Sequence, residues 1–170
     1  MQFLIWLEST PLGVWIRETP SLWGFPFILF LHTLGLAMLA GINVAYMLWF
    51  RFFAPAAAVA PLQRMFPVMW TGLAINAISG VLLLLAYPAK ALTNPVFYLK
   101  LVAIAAALAL SSSITRSINP AQSERAQAVP TRSLQRRSLI VIGLWIVAIV
   151  TGRLLAYTHS MLLAADPRFY

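Results

Sequence analysis

The chain has no cysteine, which excludes disulfides, thiolate metal centres and thiol nucleophiles together. Acid is nearly as scarce. Its four carboxylates, Glu8, Glu18, Glu124 and Asp166, all fall outside the long apolar runs, so a relay of acids through a membrane is not available. Charged residues amount to 9% against 61% hydrophobic, whereas a soluble domain carries about a quarter charged residues. So few charges cannot cover so much apolar surface in water, and lipid has to be the solvent for much of it. Also missing are a Walker loop, a Rossmann glycine pattern and a zinc-protease helix. The opening MQFLIWLESTPLGVWIRETP has no basic n-region and is broken by Glu8, Pro11, Glu18 and Pro20, so it is not expected to act as a secretory signal peptide.

What is present is four apolar runs. A bilayer core of about 30 Å needs roughly 20 apolar residues per helix. Runs over about 21–50, 67–87, 94–114 and 138–165 meet that length. Prolines separate them: Pro55, Pro61 and Pro67 in the first loop, Pro88 and Pro95 around the second, Pro120 and Pro130 in the third. Residues 1–20 are too short and too polar to cross, and Phe3, Trp6, Leu7, Val14 and Trp15 suit the headgroup layer. The expected fold is all-α: one integral membrane domain over 1–170, a four-helix bundle with an N-terminal interfacial helix.

The formal charge of +8 is distributed as a topology signal, not as a nucleic-acid footprint. Arg51, Arg64, Arg116, Arg125, Arg132, Arg136 and Arg137 fall in loops one and three, whereas the other side holds only Arg17, Lys90 and Arg168 outside the spans. Seven against three puts those loops in the cytoplasm and both termini in the periplasm of a bacterial inner membrane.

Polar residues inside the spans are few: His32, Asn43, Asn76, Lys100, Arg153 and His159. Ionisable groups there are costly and are functional candidates by default. His32 lies roughly 16 Å into the first span at about 1.5 Å per residue, Lys100 near the start of the third, and Arg153 and His159 in the last half of the fourth. All four share the outer half of the membrane. Gly35 follows His32 by three residues and leaves the helix surface beside it bare. Gly152, Ala156 and His159 share a face of the fourth span, and Gly72, Asn76, Ser79 and Gly80 recur in the second. Ala37, Gly41 and Ala45 form a further stripe. Such small residues serve close helix packing, or they leave room for a flat cofactor. Arg153 has no acid in any span to pair with. It either snorkels outward or meets an anionic ligand, with Lys100 as a second cation. Haem b supplies both an iron that takes imidazole and propionates that take Arg and Lys. A quinone or an anionic lipid head would satisfy the cations without histidine.

The segments ESTPLGVWIRETPSLWGFPFILFLHTLGLAMLAG, NPVFYLKLVAI and TGRLLAY resemble a family of bacterial inner-membrane proteins known only as a domain of unknown function. The resemblance covers nearly the whole chain but departs after the first span, where AYMLWFRFF stands in place of an acidic-basic D-L-R type stretch. More distantly, H-x-x-G followed by ISGVLLL and FYLKL is similar to copper-resistance D-type membrane domains and to haem-containing bacterial protoporphyrinogen oxidase. That resemblance implies His32 as a haem or metal ligand and Lys100 as its polar neighbour.

The expectation is therefore a membrane-embedded redox or electron-transfer protein with a b-type haem. His32 and His159 are the candidate iron ligands, and Arg153, Lys100 and Gly35 complete the cofactor site. Its partners would be the bilayer, further copies of itself or other membrane subunits, and a quinone or periplasmic redox protein. Two rival readings are a non-catalytic subunit of a larger membrane complex and a carrier of copper or a small solute, for which Met38, Met69 and Met161 would line the path.

Overall fold

The computed structural model describes residues 6–7, 9–53, 64–118 and 132–164. The described residues are helical, with no strand: α1 (Pro11–Glu18), α2 (Phe25–Phe53), α3 (Phe66–Ala86), α4 (Pro88–Leu92), α5 (Pro95–Ile118) and α6 (Arg132–Ala164). The loop prolines Pro55, Pro61, Pro120 and Pro130 lie outside the described residues, as do Arg125, Arg168, Glu8, Glu124 and Asp166.

Local chemistry sets the starts. Thr10 caps α1 by accepting from Gly13 N at 3.3 Å, with Pro11 in the first turn. Buried Asn94 does the same for α5: its Oδ1 accepts from Val96 N at 3.0 Å, ahead of Pro95. Pro67 and Pro88 likewise sit in the first turns of α3 and α4, where a missing N–H costs little. The first long helix starts later than its apolar run, because residues 21–24 form a turn in which Trp23 N donates to Ser21 Oγ. The last starts earlier: after Pro130 no breaker remains, and the arginine-rich stretch from Arg132 joins the helix. The short α4 was not expected from the sequence.

Helices α2, α3, α5 and α6 each contain a span apolar enough to cross a membrane, with mean hydropathy between 1.8 and 2.2. Only 22% of each of the first three spans and 28% of the fourth is buried within the chain. Most of this apolar surface therefore has to face lipid. Exposed aromatic residues ring both ends: Trp49 and Trp70 at one, Trp15, Trp23, Tyr87 and Tyr98 at the other. This is the placement expected at membrane–water interfaces. The protein is a multi-pass, four-helix membrane protein with a short N-terminal helix at one end.

Two helix pairs build the bundle. Helix α3 packs along α2, α5 packs along α6, and α2 against α6 joins the pairs. No comparable packing joins α3 to α5, so the order α3–α2–α6–α5 leaves a seam between its outer members. The α2–α3 crossing is very close. A Cβ on Gly35 would lie 2.7 Å from Asn76 N and 2.8 Å from the Gly72 carbonyl oxygen, and one on Gly72 would lie 2.7 Å from Met38 Cβ. Only glycine fits at either position. The small-residue stripe on α2 lies elsewhere: Ala37, Gly41 and Ala45 are exposed, and a Cβ at Gly41 would meet nothing within 4 Å.

At the end away from α1, a buried polar cluster ties all four spans. Asn43 Oδ1 accepts from Trp145 Nε1 at 3.0 Å and lies 2.9 Å from Ser111 Oγ, whose proton is shared with the Ala107 carbonyl. Asn43 Nδ2 points at Met69 Sδ, 3.7 Å away. At the other end, α1 docks on α3. Ile16 is fully buried among Ala86, Ile28, Phe25, Leu82 and Leu83, and Arg17 Nη1 donates to the Ala86 carbonyl at 3.3 Å. A cation on the last carbonyls of α3 also suits its helix dipole.

Candidate functional site

The first turns of α2 and α5 and the last turns of α3 and α6 meet at the α1 end of the bundle. Between them lies an open cavity of about 520 Å³, within the usual range for small-molecule sites of about 300–1,000 Å³. Phe25, Leu29, Leu84, Phe97, Leu101 and Ile104 make much of its wall. Among its polar side chains, His32 from α2, Asn76 from α3 and Lys100 from α5 are grouped, with Tyr87 and, on α4, Lys90 elsewhere in the lining.

His32 is held from three directions. Its Nδ1 lies 3.1 Å from the Asn76 carbonyl and 3.1 Å from Ser79 Oγ. In return Asn76 Nδ2 donates to the His32 carbonyl at 2.8 Å, a bond that fixes the α2–α3 register at this level. Its Nε2 lies 3.1 Å from Lys100 Nζ. The proton can be assigned from these partners. A backbone carbonyl only accepts, and Ser79 already donates to the Ile75 carbonyl at 2.6 Å, so Nδ1 carries hydrogen. Nε2 is left with a lone pair, directed to the α5 side of the cavity, where Lys100 donates to it.

Two glycines shape the space around the pair. A Cβ on Gly80 would stand 3.2 Å from His32 Cε1, tighter than an ordinary contact, so a bare α3 backbone gives the imidazole its place. A Cβ on Gly152 would stand 3.5 Å from Lys100 Cε and Nζ, so the α6 backbone forms the floor beneath the amine. Both glycines line the cavity.

The structure thus brings together His32 and Lys100 of the residues marked in the sequence, and treats the others differently. Gly35 serves the α2–α3 crossing, and the glycine that gives the imidazole its place is Gly80 instead. Arg153 follows Gly152 but is exposed and does not line the cavity. The backbone of α6 is helical through His159, whose side chain lies outside the described residues. Met69 is buried against Asn43 and Met38 lies against Gly72, at separate places, and the side chain of Met161 is outside the described residues. Ser79 and Gly80 were visible in the sequence as part of a small-residue face. Their spacing from Asn76, three and four residues, is the signal that they share its side of the helix.

Comparison of the chain with protein-family models, with curated proteins and with solved structures finds no match. The arrangement therefore has to be read from its own chemistry. A neutral imidazole with Nδ1–H on a carbonyl is the form in which histidine ligates metals, the carbonyl fixing both tautomer and ring orientation; here the Nε2 lone pair is taken by Lys100 Nζ at 3.1 Å. A lysine amine in an apolar wall is a donor of three hydrogen bonds to any acid or carbonyl admitted beside it.

Proposed function

We propose that this protein is a membrane-embedded redox protein that holds a b-type haem in the cavity, with His32 as the iron ligand. The observation that carries the reading is the His32 imidazole, whose Nδ1 is committed to Asn76 and Ser79 so that the lone pair lies on Nε2, in the cavity wall and shared only with the flexible Lys100 amine. Gly80 supports it, since a Cβ there would stand 3.2 Å from the imidazole and press it out of its place. A haem bound here would supply one-electron transfer. Lys100 would release Nε2 and turn its N–H groups to an acidic edge of the ligand, a change within reach of its flexible stem. The seven-to-three basic asymmetry supports a periplasmic placement of this end and of both termini, in a bacterial inner membrane, and hence exchange with a quinone or a periplasmic redox protein.

The test is the absorption spectrum and pyridine haemochrome of protein purified in mild detergent from haem-replete cells. A Soret band is expected, abolished by His32→Ala and weakened in retention by Lys100→Met. Wild-type protein with neither Soret band nor bound metal overturns the reading.

A second reading, a subunit packed against copies of itself or other membrane proteins, is supported by the exposed Ala37, Gly41 and Ala45 on α2. There two helix backbones could approach closely in lipid.

A further inference from the structure

The cavity occupies the seam of the bundle. Its walls come from α3 on one side, with Ala77 and Val81, and from α5 on the other, with Leu101 and Ile104. These two helices do not pack on one another as the other neighbours do. Val81 is 55% exposed and Leu101 is 47% exposed, so residues that line the cavity also lie on the outer surface of their helices. That surface belongs to the apolar spans and faces lipid. The cavity lining is therefore continuous with the apolar outer surface between α3 and α5.

The lining also has a sign. It contains Lys90 and Lys100 and no carboxylate. Among the described residues the one acid is Glu18, which lies 3.6 Å from Arg17 and does not line the cavity. Lys100 Nζ has His32 Nε2 as one partner, and most of the cavity lining is apolar. An ammonium in such surroundings gains most from an anion that brings its own apolar body.

From the seam and this charge together, we infer that the site takes a lipophilic carboxylate, loaded laterally from the bilayer between α3 and α5, with its acid group on Lys100 beside His32. The inference rests on the preceding reading for the location of the site but not for iron, since an acid edge on a flat ring system and a fatty acyl carboxylate present the same chemistry to Lys100.

The probe is a dansyl-labelled fatty acid added to the full chain in phosphatidylcholine nanodiscs, read by dansyl emission sensitised by the protein's tryptophans against protein-free discs. Saturable binding is expected, displaced by oleic acid and not by oleyl alcohol. Lys100→Met should weaken it roughly tenfold or more, as for loss of a charge-assisted hydrogen bond, whereas Lys100→Arg should retain it. Val81→Trp and Leu101→Trp, both on exposed positions, should slow association. Equal displacement by acid and alcohol, or unchanged affinity in Lys100→Met, overturns the inference. If Lys100→Met fails to give a monodisperse helical protein, the comparison of acid with alcohol on the wild type decides alone. Because the probe holds no iron, its binding without a Soret band would sink only the haem reading, and a Soret band without probe binding would sink only this one.

Discussion

At the scale of the residue, Asn43 is a buried polar group tied to three other helices. It is 4% exposed, and its one carbonyl oxygen serves hydroxyl and indole donors from two other helices. Replacing it by Leu keeps the volume but removes the acceptor that the fully buried Trp145 uses. A buried donor left without its partner costs about 1–3 kcal/mol in water-soluble proteins, and interhelical bonds in membranes lie at the low end of that range. Asn43→Leu is therefore expected to lower stability by about 1–2 kcal/mol, measured by unfolding in mixed detergent micelles. The pair should also couple: Trp145→Phe is expected to cost less in the Asn43→Leu background than in the wild type. Strict additivity would mean that the indole N–H and the amide do not act together. Both residues could be found in the sequence as polar or amphipathic groups inside apolar runs. Their partnership could not, because Asn43 and Trp145 are 102 positions apart and many pairings satisfy the same spacing.

At the scale of the element, glycines that look alike in the sequence divide into those a neighbour needs and those it does not. Gly35 and Gly41 both lie on α2, six residues apart, yet a Cβ at the first collides with the α3 backbone and one at the second meets nothing. Gly35→Ala and Gly72→Ala should each separate α2 from α3 and lower stability by about 1–3 kcal/mol, the usual cost of overpacking. Gly41→Ala should leave the folded chain as stable as before or slightly more so, since alanine is the better helix former. A thermal unfolding series on the three variants checks the order, and equal effects at all three positions would contradict the crossing. The existence of the helices was legible because a membrane span is a long, plain signal and prolines mark its ends. On α3, Met69, Gly72, Asn76 and Ser79 follow the three-and-four spacing and all are buried, so that face could be read as well. Which glycine makes room for packing and which for a site was not legible, because the answer lies in the neighbouring helix. Depth along a helix has the same limit. By sequence His32, Lys100 and Arg153 fall in the same half of the membrane, but level does not fix azimuth, and Arg153 is exposed on α6 whereas Gly152 beside it faces the cavity.

At the scale of the whole molecule, the basic residues predict an orientation that fusions can test. A reporter joined after Arg137 should give a cytoplasmic signal and one joined after Tyr170 a periplasmic signal; a cytoplasmic signal from the second would reverse the bundle in the membrane. The same scale shows how the chain is divided mechanically. Helices α2 and α3 form one half, α5 and α6 the other. Side-chain bonds bolt the halves together at two heights. One is the buried Asn43 cluster; the other is the bond between His32 and Lys100. They are eleven residues apart on α2, or about 16 Å along it. The first bolt is sealed in the core, but the second stands in the wall of a cavity, within reach of whatever occupies it. A guest that claims the lone pair of Nε2 therefore exchanges a strut between the halves for a bond to itself. With the far end pinned, a splay of about 5° over that lever widens the near end by about 1.4 Å. Occupancy of the cavity and the gape of the bundle thus draw on one bond, so each sets the other: pulling the halves apart loosens or favours the guest by the same factor that the guest loosens or favours the halves.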